Sequence, residues 1–301
     1  MRAVIVCNPA AGRQQAAEGI GRASDVLVRA GWTIDVEMST GRGDATRIAR
    51  NAVESRVDAV IAAGGDGTIN EAIQALAGSE TALGYLPYGT VNIWARELGI
   101  PLDPAAAAQT FVEGQAKQID LGQANGRYFL LMAGLGFDGE VVRREHALDR
   151  YKRRFGVLPY VAAGASALWQ YRGADVELRY DGLIRRVQAL MLVVGNTRLY
   201  GGFFRFTPRA VANDGWLDLC IIKGKGLLAV VRQSLPLLLA RTITHADVEL
   251  IRVRDLTVRA ERSLPLQLDG EPVGETPVTF GIAPRTLRVI VPRGFNTDLI
   301  A

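Results

Sequence analysis

The chain predicts two folds in succession: an α/β N-terminal domain on a parallel sheet, then a mainly antiparallel β-sandwich C-terminal domain. Three observations predict it. The first 120 residues alternate apolar runs of strand length with stretches of helical periodicity. Near residue 120 the pattern becomes short strands separated by Asn-Gly and Asp-Gly pairs. Between an apolar run and a helix start, in the first half, lies the glycine-rich pentapeptide Gly64-Gly65-Asp66-Gly67-Thr68.

In the first domain, strands are predicted over 2–7, 33–38, 58–63 and 82–87, with helices near 14–30, 44–55, 68–77, 90–98 and 104–113. Ile34, Val36 and Met38 alternate as in a strand, whereas Ile48, Ala49 and Ala52 share one helical face. In such a sheet ligands bind at the carboxyl ends of the strands. The loops at those ends are Asn8 to Gly12, Gly64 to Thr68 and Pro87 to Thr90. In the second domain, 118–122, the turn Asn125-Gly126 and 128–132 read as a hairpin. A helical interval over 140–171 follows, then strands at 175–180, 187–195, 216–222, 249–260, 264–268, 276–282 and 286–291. The boundaries are therefore 1–122 and 123–292, with about 293–301 expected to pack back on the first domain.

The 301 residues suffice for two such domains. The net charge of +4 is modest and gives no expectation of a nucleic-acid partner, although arginines bunch at Arg143-Arg144 and in the run Arg150 to Arg154. That run is a solvated face or a patch for anionic lipid. Two cysteines, Cys7 and Cys220, lie in separate apolar strands, which excludes a disulfide scaffold and suits a reducing cytoplasm. The N-terminus begins as a strand and has no signal-peptide pattern. The longest apolar stretch, Leu227 to Ala240, is interrupted by Arg232, Gln233 and Pro236 and is too short to span a bilayer. The expectation is a cytoplasmic protein without a transmembrane segment, able to touch the inner face of a membrane; a homodimer stays open.

The pentapeptide carries the first chemical expectation. Glycines allow close approach to a ligand and positive φ, and the helix start adds partial positive charge, so the turn suits a phosphate chain. Asp66 inside it points to a divalent cation between carboxylate and phosphate, hence to Mg²⁺ with a nucleotide. The ordinary alternative is a glycine-rich turn whose Asp caps the helix. No Walker-type phosphate loop, zinc spacing or hydrolase triad appears, and His146 and His245 stand alone. Gly134-Leu135-Gly136-Phe137-Asp138-Gly139 is literally a dinucleotide fingerprint, but no acidic strand end follows at the required distance.

Five stretches in order then resemble the diacylglycerol-kinase catalytic family, in particular the soluble bacterial lipid kinases related to sphingosine kinases. They are Asn8 to Arg13, Gly64 to Glu71, Pro87 to Asn92, Gly134 to Asp138, and Leu268-Asp269-Gly270-Glu271. The resemblance implies a phosphofructokinase- or NAD-kinase-like first domain and an ATP-dependent kinase acting on a lipid hydroxyl at a membrane surface. It implies nucleotide contacts from Asn8, Gly12, Arg13, Ser39, Thr40, Gly64, Gly65, Asp66, Gly67, Thr68, Asn70, Glu71 and Thr90. Asp269 matches the family's proposed general base, although Asp-Gly between strands is also an ordinary hairpin turn. A structural Mg²⁺ is implied at Val211, Asp214 and Trp216, and a catalytic Mg²⁺ network at Asp66 and Asp120. One departure is Ile93, where the family often has Asp after its Gly-Thr-x-Asn motif. The rival readings are a soluble-metabolite kinase of the NAD-kinase kind and a nucleotide-binding protein without turnover.

Overall fold

The computed structural model describes residues 1–8, 13–144, 173–224, 247–295 and 298–300. It divides into two compact units, one of Met1–Leu121, Val211–Gly215 and Ala283–Ala301, the other of Gly122–Ala210 and Trp216–Ile282.

The first unit runs β1 (Arg2–Cys7), α1 (Arg13–Arg29), β2 (Thr33–Met38), α2 (Asp44–Glu54), β3 (Ala59–Gly64), α3 (Asp66–Leu76), β4 (Ala82–Pro87), α4 (Ile93–Leu98) and α5 (Pro104–Glu113) into β5 (Gln115–Ala124). Its strands pair in the parallel order β2–β1–β3–β4. β3 and β4 are buried along their whole length, and β1 from Ala3 onward, as the continuous apolar runs of parallel strands require. β2 sits at the edge and is mostly exposed. The register brings Cys7 beside Met38 and Ala63, and Gly64 beside Pro87, so the predicted ligand loops leave the same sheet edge. α5 begins cleanly because the Asp103 carboxylate accepts the Ala106 amide at 3.0 Å and Pro104 occupies the first turn.

The second unit contains β6 (Arg127–Phe129), β7 (Met132–Gly136), a helical stretch over 137–144, β8 (Ala174–Tyr180), β9 (Leu183–Gly195), the short β10 (Leu199–Tyr200) and β11 (Phe204–Arg205), and β12 (Leu217–Lys223). β13 (Val248–Val253), β14 (Asp255–Ala260), β15 (Pro265–Leu268), β16 (Glu271–Glu275) and the first part of β17 (Val278–Val291), up to Ile282, complete it. Pairing within this unit is antiparallel, through β7–β9, β8–β9, β9–β12, β12–β13, β8–β14, β7–β15 and β15–β16. Its core is Phe129, Leu135, Leu178, Leu192, Leu219, Val258 and Phe280, with Phe129 edge-on to Phe280 at 6.4 Å. Three hairpin turns have positive φ at both central residues: Asn125-Gly126, Asp181-Gly182 and Asp269-Gly270. That is the type I′ turn which Asn-Gly and Asp-Gly favour.

The fold class is therefore the one the sequence predicts, while several element boundaries differ: β9 already begins at Leu183, the run 128–132 divides between β6 and β7, and β16 is an additional strand. α3 starts at Asp66 rather than Thr68, because Gly65 already serves as the extended N-cap. α4 starts at Ile93, since a side-chain-locked turn occupies 89–92. The run 249–260 is two strands, and 276–282 with 286–291 is one. β17 continues through Arg285, which adopts φ 49 and turns its amide out of the ladder toward Asp120. Its C-terminal half joins the parallel sheet beside β4, with Val289 opposite Leu83. The predicted segments 140–171 and 227–240 fall largely outside the described residues, as do the basic run and both histidines.

Candidate active site

The glycine turn is built by backbone approach, not by positive φ. Gly64 and Gly65 do not have positive φ; Gly65 lies at −93°, extended backbone open to any residue. What excludes side chains is the close approach of neighbouring groups at Gly89 and Gly64. A Cβ on Gly89 would stand 2.6 Å from the Gly65 Cα and 2.8 Å from Asn92 Oδ1. A Cβ on Gly64 would stand 2.3 Å from Thr68 Oγ1. The amides of Tyr88 and Gly89 both donate to the Gly64 carbonyl, at 2.9 and 3.1 Å, and tie the two loops together.

Asn92, outside the predicted site, holds the second loop in shape. Its Oδ1 accepts the Gly89 amide and the Tyr85 hydroxyl, each at 2.8 Å, while its Nδ2 donates to the Gly89 carbonyl. Its place in Gly89-Thr90-Val91-Asn92 was the available signal. Asn8 donates its amide to Ala63 and its side-chain NH2 to Thr68 Oγ1 at 3.5 Å. Ser39 and Asn70 are buried, and Thr90 is exposed. Gly12 lies outside the described residues; Arg13 opens α1.

Carboxylates occupy two of the three helix starts nearby. Asp66 receives the Ile93 and Trp94 amides at 2.9 and 3.2 Å, so it caps α4 from another element. Desolvation pushes its pKa up, against the pull of those two amides. Glu71 receives the Gly43 and Ala45 amides at 2.9 and 3.2 Å and caps α2. Thr40 donates its hydroxyl and amide to Asp44, at 2.5 and 2.8 Å, and these bonds hold the Asp44 carboxyl down at about 2. The start of α3 is different. Its N-cap is Gly65, which has no side chain to offer, and Asp66 in its first turn turns its carboxylate to the Ile93 and Trp94 amides of α4.

Asp120 is fully buried and staples three segments. It receives the Arg285 amide at 2.6 Å and the Gly215 amide at 2.7 Å, and its own amide donates to the Ala212 carbonyl at 2.6 Å. These bonds make Asp120 a backbone staple, and Asp66 is partly exposed at the glycine turn. The Val211–Gly215 loop carrying Asp214 is fixed by that staple and by the bond from Ala212 to the Leu299 carbonyl. Trp216 sits under Arg252 and Arg254, at 5.3 and 4.3 Å. Among the described residues no group of three His, Cys, Asp or Glu could hold a metal by side chains alone. Magnesium needs no such cage, because it takes one or two carboxylates and completes its octahedron with phosphate oxygens and water.

In the second unit Asp269 is distinguished from the other turn residues by its partners. Its carboxylate accepts the amides of Leu130, Leu131 and Met132 at 2.8, 2.8 and 2.9 Å. The carbonyl side of that segment is held by Asn196, whose amide and side chain donate to Leu131 and Leu130 at 2.9 Å. Gly134 to Gly139 is no dinucleotide loop: β7 has antiparallel neighbours on both sides, not the parallel βαβ setting a fingerprint needs.

The first unit thus carries a glycine-rich turn before α3 on a parallel sheet, and the second is an antiparallel sheet unit in which the Asp269 carboxylate is held by three amides. The comparisons are specific. Residues 2–124 match the diacylglycerol kinase catalytic domain, and 132–291 match the YegS C-terminal NAD kinase beta sandwich-like domain. The chain is 34% identical over 295 residues to a diacylglycerol kinase of Bacillus subtilis, covering 97% of each. It is 32% identical over 305 residues to one of Staphylococcus aureus, covering 100% of this chain and 96% of that one. A solved structure of a Bacillus anthracis diacylglycerol kinase superposes with TM-score 0.76 at 22% identity over 98% of both chains, a likeness of fold. The chain belongs to the diacylglycerol kinase catalytic-domain family, a family of lipid kinases.

Proposed function

We propose that this protein is an ATP- and Mg²⁺-dependent lipid kinase that transfers the γ-phosphoryl group to a hydroxyl of diacylglycerol or a related lipid. The observation that carries the nucleotide half is the start of α3, where Gly64, Gly65 and Gly89 keep side chains away from amides that can meet phosphate oxygens. Asn8, Thr68 and Thr90 add side chains at the same sheet edge. Asp66 is the carboxylate placed to hold Mg²⁺ through its remaining coordination, and the ion would offset phosphate charge; Asp120 acts by fixing the backbone it staples. The segment Val211 to Trp216 offers oxygen donors of the kind a second, structural Mg²⁺ takes.

Asp269 is the acceptor's base in this reading. The lipid O–H bond breaks toward the carboxylate, the lipid oxygen bonds to the γ-phosphorus, and the β,γ-bridging P–O bond breaks to leave ADP. The carboxylate then returns its proton to solvent. A positioned base contributes on the order of 10²–10⁴ in rate, and the three amides that orient Asp269 support such positioning. Diacylglycerol is the acceptor named for the relatives above. Work at a membrane surface is part of the proposal; among the described residues no helix is long and apolar enough to cross a membrane.

The test is transfer of labelled phosphate from ATP to lipid in mixed micelles, in the wild type and in Asp269→Asn and Asp269→Ala. Asn turns an NH2 group against one amide, so ATP affinity and melting temperature are measured alongside. Loss of transfer with ATP binding and folding kept supports the base; full transfer in Asp269→Ala refutes it.

A further inference from the structure

The motif Gly134-Leu135-Gly136-Phe137-Asp138-Gly139 takes no part in the chemistry above, yet its glycines have a steric reason. β7 runs antiparallel to β15 with Gly134 opposite Gln267. A Cβ on Gly134 would fall 1.5 Å from Asp138 Oδ2, so the missing side chain is the space into which that carboxylate folds. A Cβ on Gly139 would fall 2.0 Å from the Pro265 carbonyl, so the helical stretch lies directly on β15.

Asp138 is 3% exposed and Gln267 is 2% exposed. The Tyr200 hydroxyl donates to Asp138 Oδ1, and Gln267 Nε2 donates to Oδ2 at 2.7 Å. Gln267 Oε1 accepts the Gly270 amide at 2.7 Å. Only the oxygen of a side-chain amide can accept that N–H, so its Nε2 has to face Asp138. Gly270 is the second central residue of the turn whose first is Asp269, and the Asp269 amide itself donates to the Met132 carbonyl.

Burying a carboxyl beside two neutral partners is unfavourable, and burial pushes the pKa of Asp138 up. A pair of apolar side chains would fill the same volume without that cost. What the polar pair supplies instead is direction: it fixes the Gln267 amide, and the amide fixes Gly270.

We propose that Asp138 and Gln267 are positioning residues that hold the Asp269–Gly270 turn, and with it the carboxylate that receives the acceptor's proton. The second clause rests on the lipid-kinase reading; the first does not. The experiment therefore has two readouts on full-length protein: amide hydrogen exchange across 128–136 and 264–275, and steady-state phosphoryl transfer to micellar diacylglycerol. The variants are Asp138→Ala, Gln267→Met and Asp138→Asn, which keeps an oxygen for Gln267 and an NH2 for Tyr200.

Exchange at Gly270 and at Leu130 to Met132 is expected to quicken about tenfold in Asp138→Ala and Gln267→Met, the effect of losing one buried hydrogen bond. Exchange over β12–β13 stays unchanged, and Asp138→Asn restores the wild-type pattern. The kcat falls roughly ten- to a hundredfold with the KM for ATP unchanged, as a misplaced reacting group predicts. Unaltered exchange at the turn in folded Gln267→Met overturns the proposal. So does loosening spread evenly over the unit and not restored by Asp138→Asn. Faster exchange at the turn in a protein whose wild type phosphorylates no lipid upholds the positioning pair and refutes the lipid-kinase reading.

Discussion

Gly89→Ala tests whether close approach, rather than backbone freedom, is why the phosphate loops are glycine-rich. The added Cβ would lie 2.6 Å from the Gly65 Cα and 2.8 Å from Asn92 Oδ1. The first neighbour is backbone and the second belongs to a side chain locked by three hydrogen bonds, so the loops must part. Overpacking of this kind costs about 1–3 kcal/mol, and parting also weakens the Gly89 amide's bonds to Asn92 and Gly64, at 2.8 and 3.1 Å. A loss of that size lowers the melting temperature by roughly 2–12 °C for a unit this large. The control is Gly21→Ala in the exposed interior of α1, where nothing lies within 4 Å of the new Cβ. There the expected change is a gain of about 0.5–1 kcal/mol from helix propensity. Scanning calorimetry reads both signs, and ATP titration should show weaker binding in Gly89→Ala alone. Gly89→Ala that melts and binds ATP like the wild type would mean that close approach is not why this position is glycine.

Other expectations follow from the carboxylate caps. Glu71→Ala leaves the Gly43 and Ala45 amides without their partner and should cost about 0.5–2 kcal/mol in urea unfolding, the range for losing an N-cap. Asp120→Ala removes the acceptor for the Gly215 and Arg285 amides in a fully buried place and should destabilise the first unit by roughly 1–3 kcal/mol per orphaned group, visible as a lower urea midpoint. The Asp44 carboxyl, held at about 2 by Thr40, stabilises the fold above its unfolded pKa of roughly 3.9, and that contribution fades as pH falls toward 2. Thr40→Val should move the Asp44 titration seen by NMR up toward its ordinary value. The Asp138 carboxyl shifts the opposite way: its raised pKa means the charged form opposes folding as pH rises, so Asp138→Asn should gain stability relative to wild type at neutral pH compared with acid pH.

The alternation of the first unit was readable because each element carries its own period: β3 is six buried apolar residues, and α2 buries Ala45, Ile48, Ala49 and Ala52 on one face. The Asn-Gly and Asp-Gly turns were readable because they depend on two adjacent residues. What escaped depends on partners far away in the chain. The Asp269 carboxylate meets the Leu130 amide across 139 residues, and Asp120 meets Arg285 across 165, and no local pattern encodes either. The same holds for Gly89, whose need for hydrogen in place of Cβ comes from Gly65 on another loop. Arg285 misled the strand assignment because a single left-handed residue after a proline looks like the end of a strand, while the ladder continues beyond it. Asp66 and Glu71 sit in the predicted motif, but their carboxylates meet helix starts in neighbouring elements, a role that residue type alone does not announce.

Whether this protein is a lipid kinase is decided by transfer of radiolabelled phosphate from Mg-ATP, with diacylglycerol micelles and NAD offered separately. The expected result is label in an organic-extractable product, dependent on Mg²⁺ and lost in Asp269→Ala that still binds ATP. Label in NAD alone, or ATP binding with label in neither acceptor, would contradict it.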